Sequence, residues 1–146
     1  VPPDPRPGTH RIVRGRRTAG ALTTELVDNL WVRLVDVERA LAARRYALPL
    51  DVVLEVDDAF CPWNADRYRL RADGDDVRCE RTGATADMRL SAAELGAAFL
   101  DGTTLASLAA AGRGAEPTPG SLSRCSTAFR AEREPFHPSG RAFPAY

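Results

Sequence analysis

A chain of 146 residues, 44% hydrophobic and 27% charged, has the make-up of one folded domain. At this length the core holds without disulfides or a structural metal. Twenty acids balance twenty basic residues, all arginine, and the formal net charge of zero argues against a domain-wide field for nucleic acid. No apolar run reaches the roughly 20 residues that cross a bilayer, and no signal-peptide pattern is present, so a soluble, cytoplasmic piece with no membrane partner is expected. Because the chain opens on Val1 rather than methionine, it reads as a processed protein or, in preference, a piece of a longer one.

The opening VPPDPRPG cannot be a helix interior, since proline removes a backbone donor and clashes with the preceding turn. Residues 1–27 read as a linker or arm. Arg6, Arg11, Arg14, Arg16 and Arg17 fall in a stretch from 6 to 17 that holds no acid and no interleaved aromatic, which favours a solvated arm docking on an acidic surface of the rest of the protein over a polyanion or phosphate contact. LWVRLV (30–35) alternates like a strand. Asp36 then caps a helix expected over 37–46, with Val37, Ala40, Leu41 and Tyr46 near one face. After Pro49, LDVVLEV (50–56) is a strand that sets Asp51 and Glu55 opposite Val52, Leu54 and Val56.

RYRLR (67–71) and VRCER (77–81) alternate strictly around ADGDD, and Asp73-Gly74 suits the positive φ of a tight turn, so an antiparallel hairpin is predicted. Arg67, Arg69 and Arg71 share a face opposite Tyr68 and Leu70, with Glu80 as a cross-strand partner or another domain's surface as the alternative. A short strand over 87–90 leads into a capping box at Ser91 and Glu94 and a helix to about residue 100. Further helices are expected over 103–112, ended by Gly112, and over 121–130. The segment 132–146, with three prolines, should be extended. The sum is an α+β layered domain of about five mostly antiparallel strands with helices on one face.

Cys61, Cys79 and Cys125 are widely spaced, with no CxxC pair and no histidine at ligand spacing, so they read as reduced, partly buried thiols and not as a metal site. CPWN (61–64) reads as a structural turn anchored by Trp63 and closed by Asn64. Asp57, Asp58 and Asp66 flank that turn; they form either an acidic rim for a polycationic substrate or a solvated strand end. His10 and His137 lie in proline-flanked loops and are poor candidates for a catalytic base.

Three blocks carry a resemblance: DNLWVRLVDVERALAARRY (28–46), FCPWNADRYRL (60–70) and LSAAELGAAFLDGTTLASLAAAGR (90–113). In this order and spacing they resemble the C-terminal, sterol-carrier-protein-like domain of the Eis-type (enhanced intracellular survival) N-acetyltransferases, which makes 28–146 the domain and the DPRP at 4–7 part of the link to a preceding acetyltransferase domain. The resemblance implies two acetyltransferase (GNAT) domains ahead of this one, acetyl-CoA bound in the first, acetylation of aminoglycosides, other polyamines or lysine side chains, and a hexameric homo-oligomer. It also implies that the α-carboxylate of the last residue, here Tyr146, enters the active site as a proton acceptor. An exposed α-carboxyl titrates near about 3.5, so burial would have to raise it to make a useful base. No Gly-rich strand-to-helix loop is visible to cradle a pyrophosphate, so no cofactor is expected in this chain, which alone should be inactive. Two other functions fit the same fold: a lipid or sterol carrier with an apolar tunnel, and a purely structural oligomerisation domain.

Overall fold

The computed structural model describes residues 9–12, 25–28 and 32–131. Within the arm, β1 (Thr9–Ile12) pairs antiparallel with β2 (Glu25–Asp28), Thr9 opposite Asp28 and Ile12 opposite Glu25, so part of this segment is a two-stranded ribbon. The strand expected over 30–35 does not form across its described part: residues 32–35 have no regular structure. Their carbonyls are bonded by side chains instead of by a neighbouring strand, Leu34 O accepting from Asn64 Nδ2 at 3.1 Å and Val35 O from Trp63 Nε1 at 2.9 Å.

Helix α1 (Val37–Ala42) starts where the sequence places it, the Asp36 side chain accepting from Arg39 N at 3.0 Å. It stops at Ala42, one turn short of the expectation. Past that point Arg44 turns back to donate to Phe129 O at 2.6 Å, and Tyr46 donates to Leu41 O at 2.9 Å while its ring meets Phe129 edge-on.

β3 (Leu50–Asp57), β4 (Asp66–Asp73), β5 (Asp76–Arg81) and β6 (Met88–Ser91) form one sheet in the order β5-β4-β3-β6. β3, β4 and β5 are antiparallel neighbours and β6 lies parallel to β3, Leu54 opposite Met88 and Val56 opposite Leu90. The hairpin turns at Gly74, whose φ of +58° is open to glycine at no steric cost. Period-two alternation splits the sheet into two faces. Leu50, Val52, Leu54, Val56, Tyr68, Leu70, Ala72, Cys79, Met88 and Leu90 are buried on one, under Leu41 of α1, Leu95 of α2 (Ala92–Phe99), Leu105 and Leu108 of α3 (Leu105–Ala110), and Cys125 and Ala128 of α4 (Ser121–Ala128).

The other face is a charge lattice. Arg67 pairs with Glu55 at 2.7 Å, Arg69 with Asp51 at 2.8 Å, Arg71 with Asp51 at 3.5 Å and Arg89 with Glu55 at 3.3 Å. The β4 arginines thus find their carboxylates on β3 and not at Glu80: Glu55 lies directly opposite Arg67 and Asp51 opposite Arg71, while Arg69, opposite Val53, reaches diagonally to Asp51.

α2 keeps the expected capping box, Ser91 N donating to Glu94 Oε2 at 2.5 Å and Glu94 N to Ser91 Oγ at 3.3 Å. The closest approach between elements comes from Gly96 in this helix: a Cβ there would stand 2.4 Å from Val32 O. The alanines of this region pack less closely: of Ala97, Ala98, Ala106, Ala109, Ala110 and Ala111 only Ala98 is fully buried, and Ala106, Ala110 and Ala111 are exposed.

Candidate functional site

At one end of the sheet, where β3 runs out, the chain turns through DDAFCPWN and locks onto the segment before α1. Asp58 is the hub. Its Oδ1 accepts from Phe60 N at 3.1 Å, from Cys61 N at 2.9 Å and from the Arg33 guanidinium, and its Oδ2 from Asn64 Nδ2 at 3.2 Å. Burial alone would push this carboxyl up, but the donors from Cys61, Asn64, Arg33 and Phe60 outweigh that and hold it below the ordinary carboxylate value. Asp58 is therefore neither a rim acid nor a solvated strand end: it is buried and its two oxygens accept four hydrogen bonds from the protein.

Asn64 completes the lock. It is buried in a 3-10 turn over Pro62–Asn64, its Oδ1 accepts from Val37 N at 3.3 Å, and its own carbonyl accepts from Tyr68 OH at 3.0 Å. The structural turn read from CPWN is present. What the sequence did not reveal is that the turn presents its aromatic rings outward: Phe60 is 80% exposed and Trp63 57%, beside Val35 at 67%. The Arg33 guanidinium lies over the Phe60 ring, 4.8 Å from its centroid.

Next to this end of the sheet is an open cleft of about 780 Å³, lined among others by Glu55, Asp57, Arg67, Arg89, Ser91 and Glu94. Most of its charges are internally matched: Glu55 faces Arg67 and Arg89, Asp66 faces Arg81 at 2.9 Å, and Glu94 faces Arg113 at 3.0 Å. Burial works against ionisation of Glu94, but its bonds to Ser91 and Arg113 prevail and keep its carboxyl below the usual value. Asp57 alone of these carboxylates has no hydrogen-bond or ion-pair partner among the described residues.

At α2 the Glu94 carboxylate accepts from Ser91 N at the helix cap, and at α4 Leu122 N donates to Glu116 Oε1 at 2.9 Å. A carboxylate thus stands at the start of each of these helices, where a pyrophosphate would meet like charge.

All three cysteines are free and buried. Burial pushes the Cys79 and Cys125 thiols up to about 12. Among the described residues no three His, Cys, Asp or Glu side chains gather in a metal-binding arrangement, and no helix is long and apolar enough to cross a membrane. Tyr146 and His137 lie outside the described residues, and of His10 only the backbone, in β1, is described.

A sequence model of the sterol carrier protein domain family matches residues 37–138. An uncharacterized N-acetyltransferase of Streptomyces coelicolor is 55% identical over 113 residues, 77% of this chain and 27% of that protein. The N-acetyltransferase Eis of Mycobacterium tuberculosis is 35% identical over 96 residues, 64% of this chain and 22% of that protein. Among solved structures, the crystal structure of Eis1 from Mycobacterium abscessus superimposes with a TM-score of 0.68 at 36% identity, covering 78% of this chain and 28% of that one. A GCN5-related N-acetyltransferase from Kribbella flavida does so with a TM-score of 0.62 at 28% identity, covering 70% and 26%. The chain spans about a quarter of the length of the curated relatives it matches.

Proposed function

Because the chain belongs to the sterol carrier protein domain family, in the form carried by the Eis-type N-acetyltransferases, we propose that it is the non-catalytic-fold part of an acetyl-CoA-dependent enzyme that acetylates amines. In this reading residues 1–27 join it to preceding acetyltransferase domains, which bind acetyl-CoA. The substrate is a polycationic amine, an aminoglycoside or a lysine side chain, and this domain supplies one wall of its pocket together with contacts in a homo-oligomer, a hexamer by resemblance.

The observation that carries the reading is that sequence and fold agree on one class of protein: 55% identity to one N-acetyltransferase and a TM-score of 0.68 to another. Assignment of acetyl-CoA to the other domains is supported by the carboxylates that stand at the starts of α2 and α4, Glu94 accepting from Ser91 N and Glu116 from Leu122 N. Three unpaired cysteines support a reducing, cytoplasmic setting. The carrier alternative needs an apolar tunnel, whereas Leu41, Leu54, Leu70, Met88, Leu95 and Leu105 pack into the space between sheet and helices.

The chemical contribution of this chain is the α-carboxylate of Tyr146. A substrate ammonium has no lone pair for attack, and a carboxylate within about 3 Å accepts its proton. The test is acetyl transfer to an aminoglycoside or polyamine by the full-length parent, with and without deletion of Ala145 and Tyr146. A fall of about 100-fold with acetyl-CoA binding intact supports the carboxylate's role. An undiminished rate in the truncated enzyme removes it and leaves assembly as this domain's work; a parent that acetylates no amine overturns the whole reading.

A further inference from the structure

We propose that Val35, Phe60 and Trp63 form the surface on which a preceding acetyltransferase domain of the same polypeptide is seated. The inference rests on the proposed function for the identity of that domain, and on the geometry of this chain for the surface.

Three apolar side chains are in the open, 67%, 80% and 57% exposed; Trp63 Nε1 bonded to Val35 O makes two of them direct neighbours, and Phe60 lies three residues before Trp63 in the same turn. On ordinary side-chain areas they expose roughly 400 Å², the size of the largest apolar patch on a typical monomer. That suffices for the apolar centre of an interdomain contact of roughly 600–1,500 Å². The rings are displayed on a rigid base. Asp58 holds Phe60 N and Cys61 N, Arg81 donates to Trp63 O at 2.5 Å, and Asn64 is buried directly behind. A loop with fewer bonds would lose conformational entropy on docking; this one has already lost it on folding, which is the condition for a good anchor.

The same geometry selects the occupant. A cationic substrate is a poor match, because the Arg33 guanidinium already covers a face of Phe60 and the carboxylate beneath the turn, Asp58, is buried and already accepts four hydrogen bonds. A second copy must be recruited from solution. A preceding domain is tethered to the patch itself, since Val35 lies in the stretch that leads from residues 1–31 into α1, and a short tether raises the effective concentration to the millimolar range. The relatives are about four times as long as their matched segments, which leaves room for such domains.

Hydroxyl-radical footprinting of the full-length parent, without substrate, reads oxidation at Phe60 and Trp63 by mass spectrometry against the urea-unfolded parent. We expect both rings to be protected at least about fivefold, as rings sealed in an interface core are, and the protection to persist on dilution to the monomer. Phe60→Glu, at a side chain the domain itself hardly buries, should expose Trp63 while buried Cys61 stays unlabelled as a control of folding. Oxidation at the unfolded rate overturns the proposal. So does protection lost on dilution, which makes the occupant a second copy, protection that appears only with added spermine, which makes it substrate, or a Trp63 still protected in folded Phe60→Glu. The readout needs no turnover. A parent that protects the rings yet acetylates nothing keeps the surface and loses the enzymatic reading, and one that acetylates with both rings exposed does the reverse.

Discussion

Arg33 and Asp58 are paired across 25 residues of sequence, the carboxylate 1% exposed and the guanidinium 38%. The pair ties the irregular segment before α1 to the turn after β3, so the end of the sheet and the start of the helical layer are one hydrogen-bonded unit. A carboxylate this deep is tolerated only because its oxygens are met by several donors.

The pH dependence of stability should report that unit. The Asp58 carboxyl is held below its ordinary value of 3.8 in the folded chain. Its contribution is then complete above the unfolded value and is lost as pH falls through the lower folded one. Urea midpoints measured from neutral pH downward should drop below about pH 4, and the drop should be shallower in Asp58→Asn. Parallel profiles for the two proteins would show that other carboxylates dominate acid unfolding.

Asn64→Ala removes three bonds at once and leaves Val37 N and Leu34 O buried without partners. We expect a loss of about 3 kcal/mol, at the upper end for orphaned buried groups, seen as a lower urea midpoint with unchanged slope. A loss under about 1 kcal/mol would mean that water replaces the amide.

Gly96→Ala sets two effects against each other. Helix propensity favours alanine by about 1 kcal/mol, whereas the new methyl would stand 2.4 Å from Val32 O, a backbone atom with no rotamer to escape into. Overpacking should win, with a net loss of about 2 kcal/mol. Equal or higher thermal stability in the variant would show that residues 32–34 shift freely away from α2.

Cys79 and Cys125, with thiols pushed up to about 12 by burial, carry almost no thiolate at neutral pH. At about pH 8 neither should react with a thiol reagent in the folded protein, and both should react at once in denaturant. Rapid labelling of either in the native state would contradict their packing under the helices.

The distribution of what was legible follows the range of the forces involved. Local signals held: the Asp36 cap, the capping box of Ser91 and Glu94, the hairpin around Gly74 and the alternation of Val52, Leu54 and Val56 against Asp51 and Glu55 all depend on neighbours within a few residues. The strand expected over 30–35 failed at its described residues, 32–35, for the complementary reason. Its alternation is that of a strand, but the partners that claim its carbonyls, Trp63 and Asn64, lie about thirty residues away. The same holds for Asp58, whose acidity reads as a solvated rim until Arg33 and Asn64 fold onto it, and for the β4 arginines, whose carboxylates sit on β3 rather than β5.

By itself the sequence determined the element types from α1 to α4, the division of the sheet into an apolar and a charged face, and, through three ordered blocks, the family, because cap chemistry, alternation and motif spacing are local or written along the chain. Only the tertiary structure decided that Asp58 and Asn64 are structural and that Phe60 and Trp63 face outward. Each of these depends on which distant group arrives to take a donor, an acceptor or a ring face, and one-dimensional order carries no record of that competition.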